Sequence, residues 1–310
     1  MSTSNAGKLL VALDGSNRSR LTVDHISACQ PLHAHRLVLY HVFNKIPYAY
    51  YDLQKEPKSI KIVGQTHAWE SHQKKKIASY LEKAKGILIQ EGFAESDIDI
   101  KISPRDQGIA RDIIKESRNG YTAVILRRRG TTHLPLIMGG VATKVVERND
   151  AIPMIITGRK PAAGKVLIAI DGSSNALRAA DFAGRMLAGH KTGIHLVSIV
   201  RGVSATGSVD SGDQTEREDL AASPDEATKK ILEAREHLLQ AGVSSQQVTW
   251  QLIADVHSRA EAIVTEADSK GCDTIIVGRR GHSRINYFFI GSVSAKVIQL
   301  GRQHTVWVIP

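Results

Sequence analysis

Three glycines and two hydroxyls near the end of the chain have the types and spacing of an anion-binding loop. In "VGRRGHSRINYFFIGSVSAKVI" (Val277 to Ile298), Gly278, Gly281 and Gly291 lead into Ser292, Val293 and Ser294. Gly278 and Gly281 permit close backbone approach to a ligand and positive φ angles. The residues after Gly291 open a helical pattern, whose free N–H groups and dipole favour an anion. Hydroxyls at Ser292 and Ser294 would add donors for phosphate oxygens. Glycine spacing alone is weak evidence, since such turns are commonly structural. Arg279 and Arg280, inside the loop, either screen phosphate charge or are simply solvated.

A second version, "ILRRRGTTHLPLIMGGVATKVV" (Ile125 to Val146), departs from this pattern. Arg127 stands at the first glycine position and Gly130 at the second. Gly139–Gly140 replaces Gly-Ser, and the intervening stretch is one residue shorter. Arginine carries a Cβ, so a backbone conformation that needs glycine would be strained there. Its guanidinium could still offer charge to a phosphate. The expectation is a degenerate loop in which anion binding is weak or absent.

The elements that position these loops are themselves written twice. "KLLVALDGSNRSRLTVDH" (Lys8 to His25) matches "KVLIAIDGSSNALRAADF" (Lys165 to Phe182), with Asp14 and Asp171 separated by 171 − 14 = 157 residues. Each copy continues with apolar runs alternating with amphipathic helical patterns: "RLVLYHVF" or "GIHLVSIV", then "IDIKIS" or "VTWQLI", then "TAVIL" or "DTIIV", and finally "PMIIT" or "VWVIP". Continuous apolar strands between helices imply a parallel sheet covered on both faces, with right-handed crossovers. The expected fold is therefore α/β, as two tandem doubly wound domains, each a five-stranded, mostly parallel sheet flanked by helices. Residues 1–157 form the first and 165–310 the second, with the Gly- and Pro-containing stretch 158–164 as linker. The first half carries a basic, tyrosine-containing variable segment (Asn44 to Trp69); the second carries an acidic, Ser/Gly-rich one (Gly202 to Glu226).

In an open parallel sheet, ligands settle at the carboxyl ends of the strands, near the point where strand order reverses. Asp14 and Asp171 follow the first strand of each half, so each half brings a carboxylate and a glycine loop to one rim. There the carboxylate could accept a hydrogen bond from a ribose hydroxyl or an adenine amino group. Asp-Gly-Ser before a helix is also ordinary capping chemistry, and position alone leaves the two roles equal.

With those residues in view, the chain resembles a tandem member of the universal stress protein family, over nearly its whole length. The family pattern of Gly, two residues, Gly, nine residues, Gly and then Ser or Thr is unbroken at Gly278, Gly281, Gly291 and Ser292. The resemblance implies an adenine nucleotide hydrolase-like fold and an ATP site, possible with Mg2+, in the second half. Asp171 would contact the nucleoside, with Ile199 and Val277 as apolar neighbours of adenine. Gly278, Gly281, Gly291, Ser292, Val293 and Ser294 would surround ribose and phosphates. In the first half Asp14 and Val42 would keep the nucleoside side of a vestigial site that also includes Arg127, Gly130 and Gly140. The family habit of pairing through last strands implies an internal pseudo-dimer through "PMIIT" and "VWVIP", and a further homodimer.

Composition narrows the partners. The chain has 310 residues, 42% hydrophobic and 23% charged, with net charge +10, which suits anionic partners such as nucleotides. Without a dense basic, aromatic-interleaved tract, nucleic acid is not expected. The two cysteines, Cys29 and Cys272, form no Cys-x-x-Cys pair and suit a reducing cytoplasm. No stretch approaches the roughly 20 apolar residues of a membrane span, and no histidine pattern implies a metal site. His282 and Ser283 adjoin in the loop, but sequence adjacency is not a nucleophile–base geometry. Adenylate-forming or pyrophosphatase chemistry would require a Ser-Gly-Gly-x-Asp-Ser loop or a His-x-Gly-His motif, and "LDGSNRS" and "IDGSSNA" are neither. The resemblance then implies a stress-response regulatory module whose ATP, hydrolysed slowly at most, shifts conformation; the alternative is a scaffold of the same fold that binds no nucleotide.

Overall fold

The computed structural model describes residues 7–44, 60–128, 139–159, 164–200, 223–281 and 290–310. The first half runs β1 (Lys8–Ala12), α1 (Arg20–Ala28), β2 (Arg36–Phe43), α2 (Ile60–Gln90), β3 (Ile98–Pro104), α3 (Ile109–Ser117), β4 (Tyr121–Arg127), α4 (Gly140–Arg148) and β5 (Met154–Thr157). The second runs β6 (Lys165–Ala169), α5 (Ser174–Leu187), β7 (Gly193–Ile199), α6 (Pro224–Gln240), β8 (Val248–Ile253), α7 (Arg259–Ser269), β9 (Thr274–Gly278), α8 (Ser292–Leu300) and β10 (Thr305–Ile309).

The strands form one sheet in the order β3-β2-β1-β4-β5-β10-β9-β6-β7-β8. Each half therefore repeats the same order outward from the middle, with every pairing inside a half parallel. The exception lies at the centre, where β5 and β10 run antiparallel, Met154 opposite Val308, Ile155 opposite Trp307 and Ile156 opposite Val306. Burial follows from position. The central strands β5, β9 and β10 are buried throughout, whereas the edge strands β3 and β8 leave residues exposed.

Alternation along the strands splits the apolar side chains between two cores, and each core crosses the centre. Ile155 and Trp307 join the core under α1, α2, α5 and α6. Met154, Ile156, Val306 and Val308 join the other, under α3, α4, α7 and α8. Trp307 meets Phe182 edge-on with ring centroids 5.8 Å apart, an arrangement worth about 0.5–1.5 kcal/mol beyond the burial itself. At the position matching Phe182 the first half has His25, buried beside Thr305.

The stretch expected as a linker starts under restraint. Gly158 N–H donates to Thr305 Oγ1 at 3.1 Å and Arg159 N–H to the Gln303 carbonyl at 3.0 Å. A Cβ at Gly158 would lie 2.3 Å from the His304 carbonyl group, so the close crossing needs glycine. Residues 160–163 lie outside the described residues, as does most of both variable segments. Helix α2 reaches back to Ile60, into the segment expected to be variable. The last proline before it is Pro57, and the two interior glycines, Gly64 and Gly86, cost only about 1 kcal/mol each against that length.

Candidate functional site

Order reverses in the sheet beside β6 and β9, and beside β1 and β4. The carboxyl ends of these strands make the two rims. At the second rim, Gly172 turns the chain with φ 81° after β6. Asp171 Oδ1 accepts from Ser173 N–H at 2.9 Å and holds that turn. The helix cap itself is Ser173, whose Oγ accepts from Ala176 N–H at 3.2 Å. The two roles left open for the aspartate thus separate: serine caps, and aspartate braces the turn. Its other oxygen, Oδ2, lies where a Cβ on Gly281 would come within 2.6 Å. Carboxylate and glycine loop do converge.

The loop's two ends are clamped together. Gly291 N–H donates to the Arg279 carbonyl at 2.8 Å, and a Cβ on Gly291 would sit 3.3 Å from that oxygen. Helix α8 then starts with Gly291 as a cap that supplies no side-chain hydrogen bond. The first N–H groups of any helix lack intrahelical partners, so those after Gly291 present donors and the positive end of the dipole to the rim. Ser292 is exposed beside them. Ser294 is buried, and its hydroxyl donates to the Gly278 carbonyl at 2.7 Å. It ties β9 to α8, so its proton is already engaged within the loop.

Several expected reasons give way to others. None of Gly278, Gly281 and Gly291 has a positive φ; what they supply is space. A Cβ on Gly278 would lie 2.8 Å from Asn175 Cβ, 2.9 Å from the Asn175 carbonyl carbon and 3.0 Å from Ala176 N, against the first turn of α5. Val277 is a core side chain beneath the rim, and Ile199 is half-buried against the same core. Arg279 is not a solvated loop residue. It is 3% exposed and its Nη2 donates to the Glu147 carbonyl of the first half at 2.5 Å. Burial lowers its pKa from the ordinary value, and Arg280 lowers it further.

The first rim is built differently. Asp14 Oδ1 again accepts from the residue two places on, Ser16, at its N–H (3.0 Å) and hydroxyl (2.6 Å). Here, however, α1 begins only at Arg20, and a turn closed by the Ser19 N–H to Ser16 carbonyl bond replaces the first helical turn. That removes the backbone against which a side chain at position 127 would collide. Arg127 accordingly sits in β4 opposite Thr157 without positive φ, and its Nη1 donates to the Gly158 carbonyl at 3.4 Å. The expected strain is absent because the neighbouring helix has retreated. Val42 is buried and lines the rim; Gly140 opens α4 with open space around it, and Gly130 lies outside the described residues, as do His282 and Ser283. Across the rims Gly140 matches Ser292 and Ala142 matches Ser294, so the first half lacks both hydroxyls.

A cavity of about 550 Å³ occupies this first rim. Tyr40, Trp69, Ile109, Ile113, Val141 and Val145 belong to it and escaped the sequence reading. Trp69 was the one available signal, as the aromatic end of the segment preceding the long helix.

A twisted parallel sheet with a carboxylate and a glycine loop at its reversal point defines the doubly wound class of ligand-binding α/β proteins. The comparisons narrow the class. Residues 163–310 match the model of the universal stress protein family. The chain is 26% identical over 242 residues to the universal stress protein Slr1230 of Synechocystis sp., covering 76% of this chain and 71% of that one. A universal stress protein from Archaeoglobus fulgidus shares the fold with TM-score 0.66 at 17% identity, covering 98% of both chains. A putative universal stress protein from Pseudomonas aeruginosa does so with TM-score 0.60 at 14% identity, over 99% of this chain and 94% of the other. The second half of this chain, residues 163–310, thus carries the match to the universal stress protein family.

Proposed function

We propose that this chain is a stress-response regulatory protein of two such domains, 1–157 and 165–310 joined by 158–164, which binds ATP or a related adenine nucleotide in its second half. The observation that carries the reading is the convergence of Asp171 Oδ2 on Gly281 beside the open N-terminus of α8. Phosphates would meet the N–H groups of Ser292, Val293 and Ser294, with the Ser292 hydroxyl alongside. Asp171 would accept from a ribose hydroxyl, over Ile199 and the backbone of Val277. Gly278, Gly291 and the Ser294 hydroxyl hold the loop in shape. Among the described residues no three His, Cys, Asp or Glu side chains are grouped to hold a metal, so Mg2+ would arrive on the phosphates. ATP would act by stabilising one conformation or partner complex. The β5–β10 pairing supports reading the two halves as an internal pseudo-dimer, with a homodimer built on other surfaces. A cytoplasmic setting suits the two separate cysteines, Cys29 and Cys272, and burial pushes the Cys29 thiol pKa up to about 12; no helix among the described residues is long and apolar enough to cross a membrane.

The test is calorimetric titration of ATP into the wild type and Ser292→Asp. Aspartate in the first turn favours the helix by about 0.3–1 kcal/mol while placing a carboxylate where phosphate would sit. We expect binding to the wild type and at least tenfold weaker binding to a variant of equal or greater stability. No heat with the wild type, or equal affinity, defeats the reading. The steric duties of Gly278 and Gly291 favour the alternative in that event: a scaffold in which the loop is purely structural.

A further inference from the structure

The first rim lost the features that suit a polyphosphate, yet it did not close. Its cavity of about 550 Å³ falls within the range of small-molecule sites, roughly 300–1,000 Å³. The walls are branched and apolar: Val42, Ile109, Ile113, Leu126 and Val145. At the mouth stand Trp69 and Val141, 53% and 37% exposed. Both are large apolar side chains left exposed beside the cavity, where a ligand would cover them.

The same lining carries charge. Arg18, Arg127 and Arg128 line the cavity against one carboxylate, Asp14. The Nε, Nη1 and Nη2 atoms of Arg128 are buried and make no hydrogen bond among the described residues. Burying a guanidinium without an acceptor is costly, and the cost falls when an anion supplies one. Burial lowers the Arg127 pKa from its ordinary value, and Arg159 and Arg18 lower it further. Burial brings Arg128 to about 10, with Arg302 adding to the effect. Both remain cations near neutrality. A polyphosphate would lack the Ser292 hydroxyl equivalent and would bring several negative charges against Asp14, whereas a single carboxylate brings one charge against three arginines.

We infer that the first half binds an apolar carboxylate, its anion on Arg127 and Arg128 and its body between the branched walls beneath Trp69. The site is separate from the nucleotide reading of the second half and does not depend on it.

Calorimetric titration of the full chain with 2-naphthoate, and separately with decanoate, tests this; a flat and an acyl body are the two forms of the same chemistry. At least one should bind at one site, and its neutral amide at least tenfold more weakly. Arg127→Gln should weaken binding about tenfold or more, the effect of removing one charge-assisted contact, and Arg127→Lys should recover part of it. Val141→Glu, at an exposed mouth position, should weaken binding without loss of the thermal transition. The inference is overturned if neither carboxylate binds, if acid and amide bind alike, or if both Arg127→Gln and Val141→Glu bind as the wild type does. It is overturned equally if ATP displaces the carboxylate from Ser292→Asp, since the cavity is then a nucleotide site. ATP binding in the second half can fail without touching any of these outcomes.

Discussion

The two rims share a strand order, an aspartate turn and a loop, and differ in what stands beside the first loop position. In the second half α5 starts at Ser174 under its Ser173 cap, and its first turn leaves room for nothing beyond Gly278. In the first half the helix starts at Arg20, and Arg127 fits. Glycine loss and helix retreat are thus one change seen from two sides. The half in which Arg127 replaces the first glycine, with Gly140 and Ala142 in place of Ser292 and Ser294, keeps a cavity at its rim.

The sharpest way to break this comparison is to exchange the residues. Gly278→Arg should cost about 3 kcal/mol or more, because its Cβ meets backbone that cannot give way. Arg127→Gly should cost at most about 1 kcal/mol, the entropy of a glycine at a strand end. Urea unfolding of the two variants measures both, and equal costs would mean that the helix offset is irrelevant.

Next in size is an acid effect at the centre, where His25 occupies the place of Phe182. Burial holds the His25 pKa at about 4, with Asp273 opposing and Arg127 adding to the shift. The unfolded histidine takes its proton near 6.5 and the folded one only near 4. Stability is therefore complete above about pH 6.5 and falls as pH drops towards 4, by about 2 kcal/mol between pH 7.5 and pH 5. His25→Phe should remove that part of the slope. Urea midpoints at the two pH values decide, and an unchanged slope would assign the effect elsewhere.

The smallest effect concerns the loop tie. Ser294→Ala copies Ala142 into the second half and leaves the Gly278 carbonyl without its 2.7 Å donor. We expect a loss of about 1 kcal/mol and faster hydrogen exchange at the start of α8. A variant as stable and as protected as the wild type would show that the tie is not needed.

Much of this was legible in the chain. The repeated "LLVALDGS" and "VLIAIDGS" openings, the apolar runs and the glycine spacing indicated two doubly wound halves and put Asp171, Gly281 and Gly291 at one rim. Patterns of period and spacing carry that information because strands and helix starts have local chemical causes. What could not be read was why each glycine is there. Gly278 answers to Asn175, about a hundred residues away in sequence, and Ser294 to Gly278 itself. Arg279 looked like a loop charge and is instead buried against Glu147 of the other half. Trp69 looked like part of a variable segment and borders a cavity, because α2 runs back to Ile60.

By itself, then, the sequence determined the class of fold, the repetition and the address of the loops, all of which follow from local propensity and hydrophobic period. Tertiary structure alone decided that the central strands run antiparallel, that both cores cross the middle, and that Arg127 sits unstrained beside an open cavity. Those outcomes depend on which backbone comes within a few ångströms of which side chain, and steric exclusion acts between neighbours in space whatever their separation along the chain.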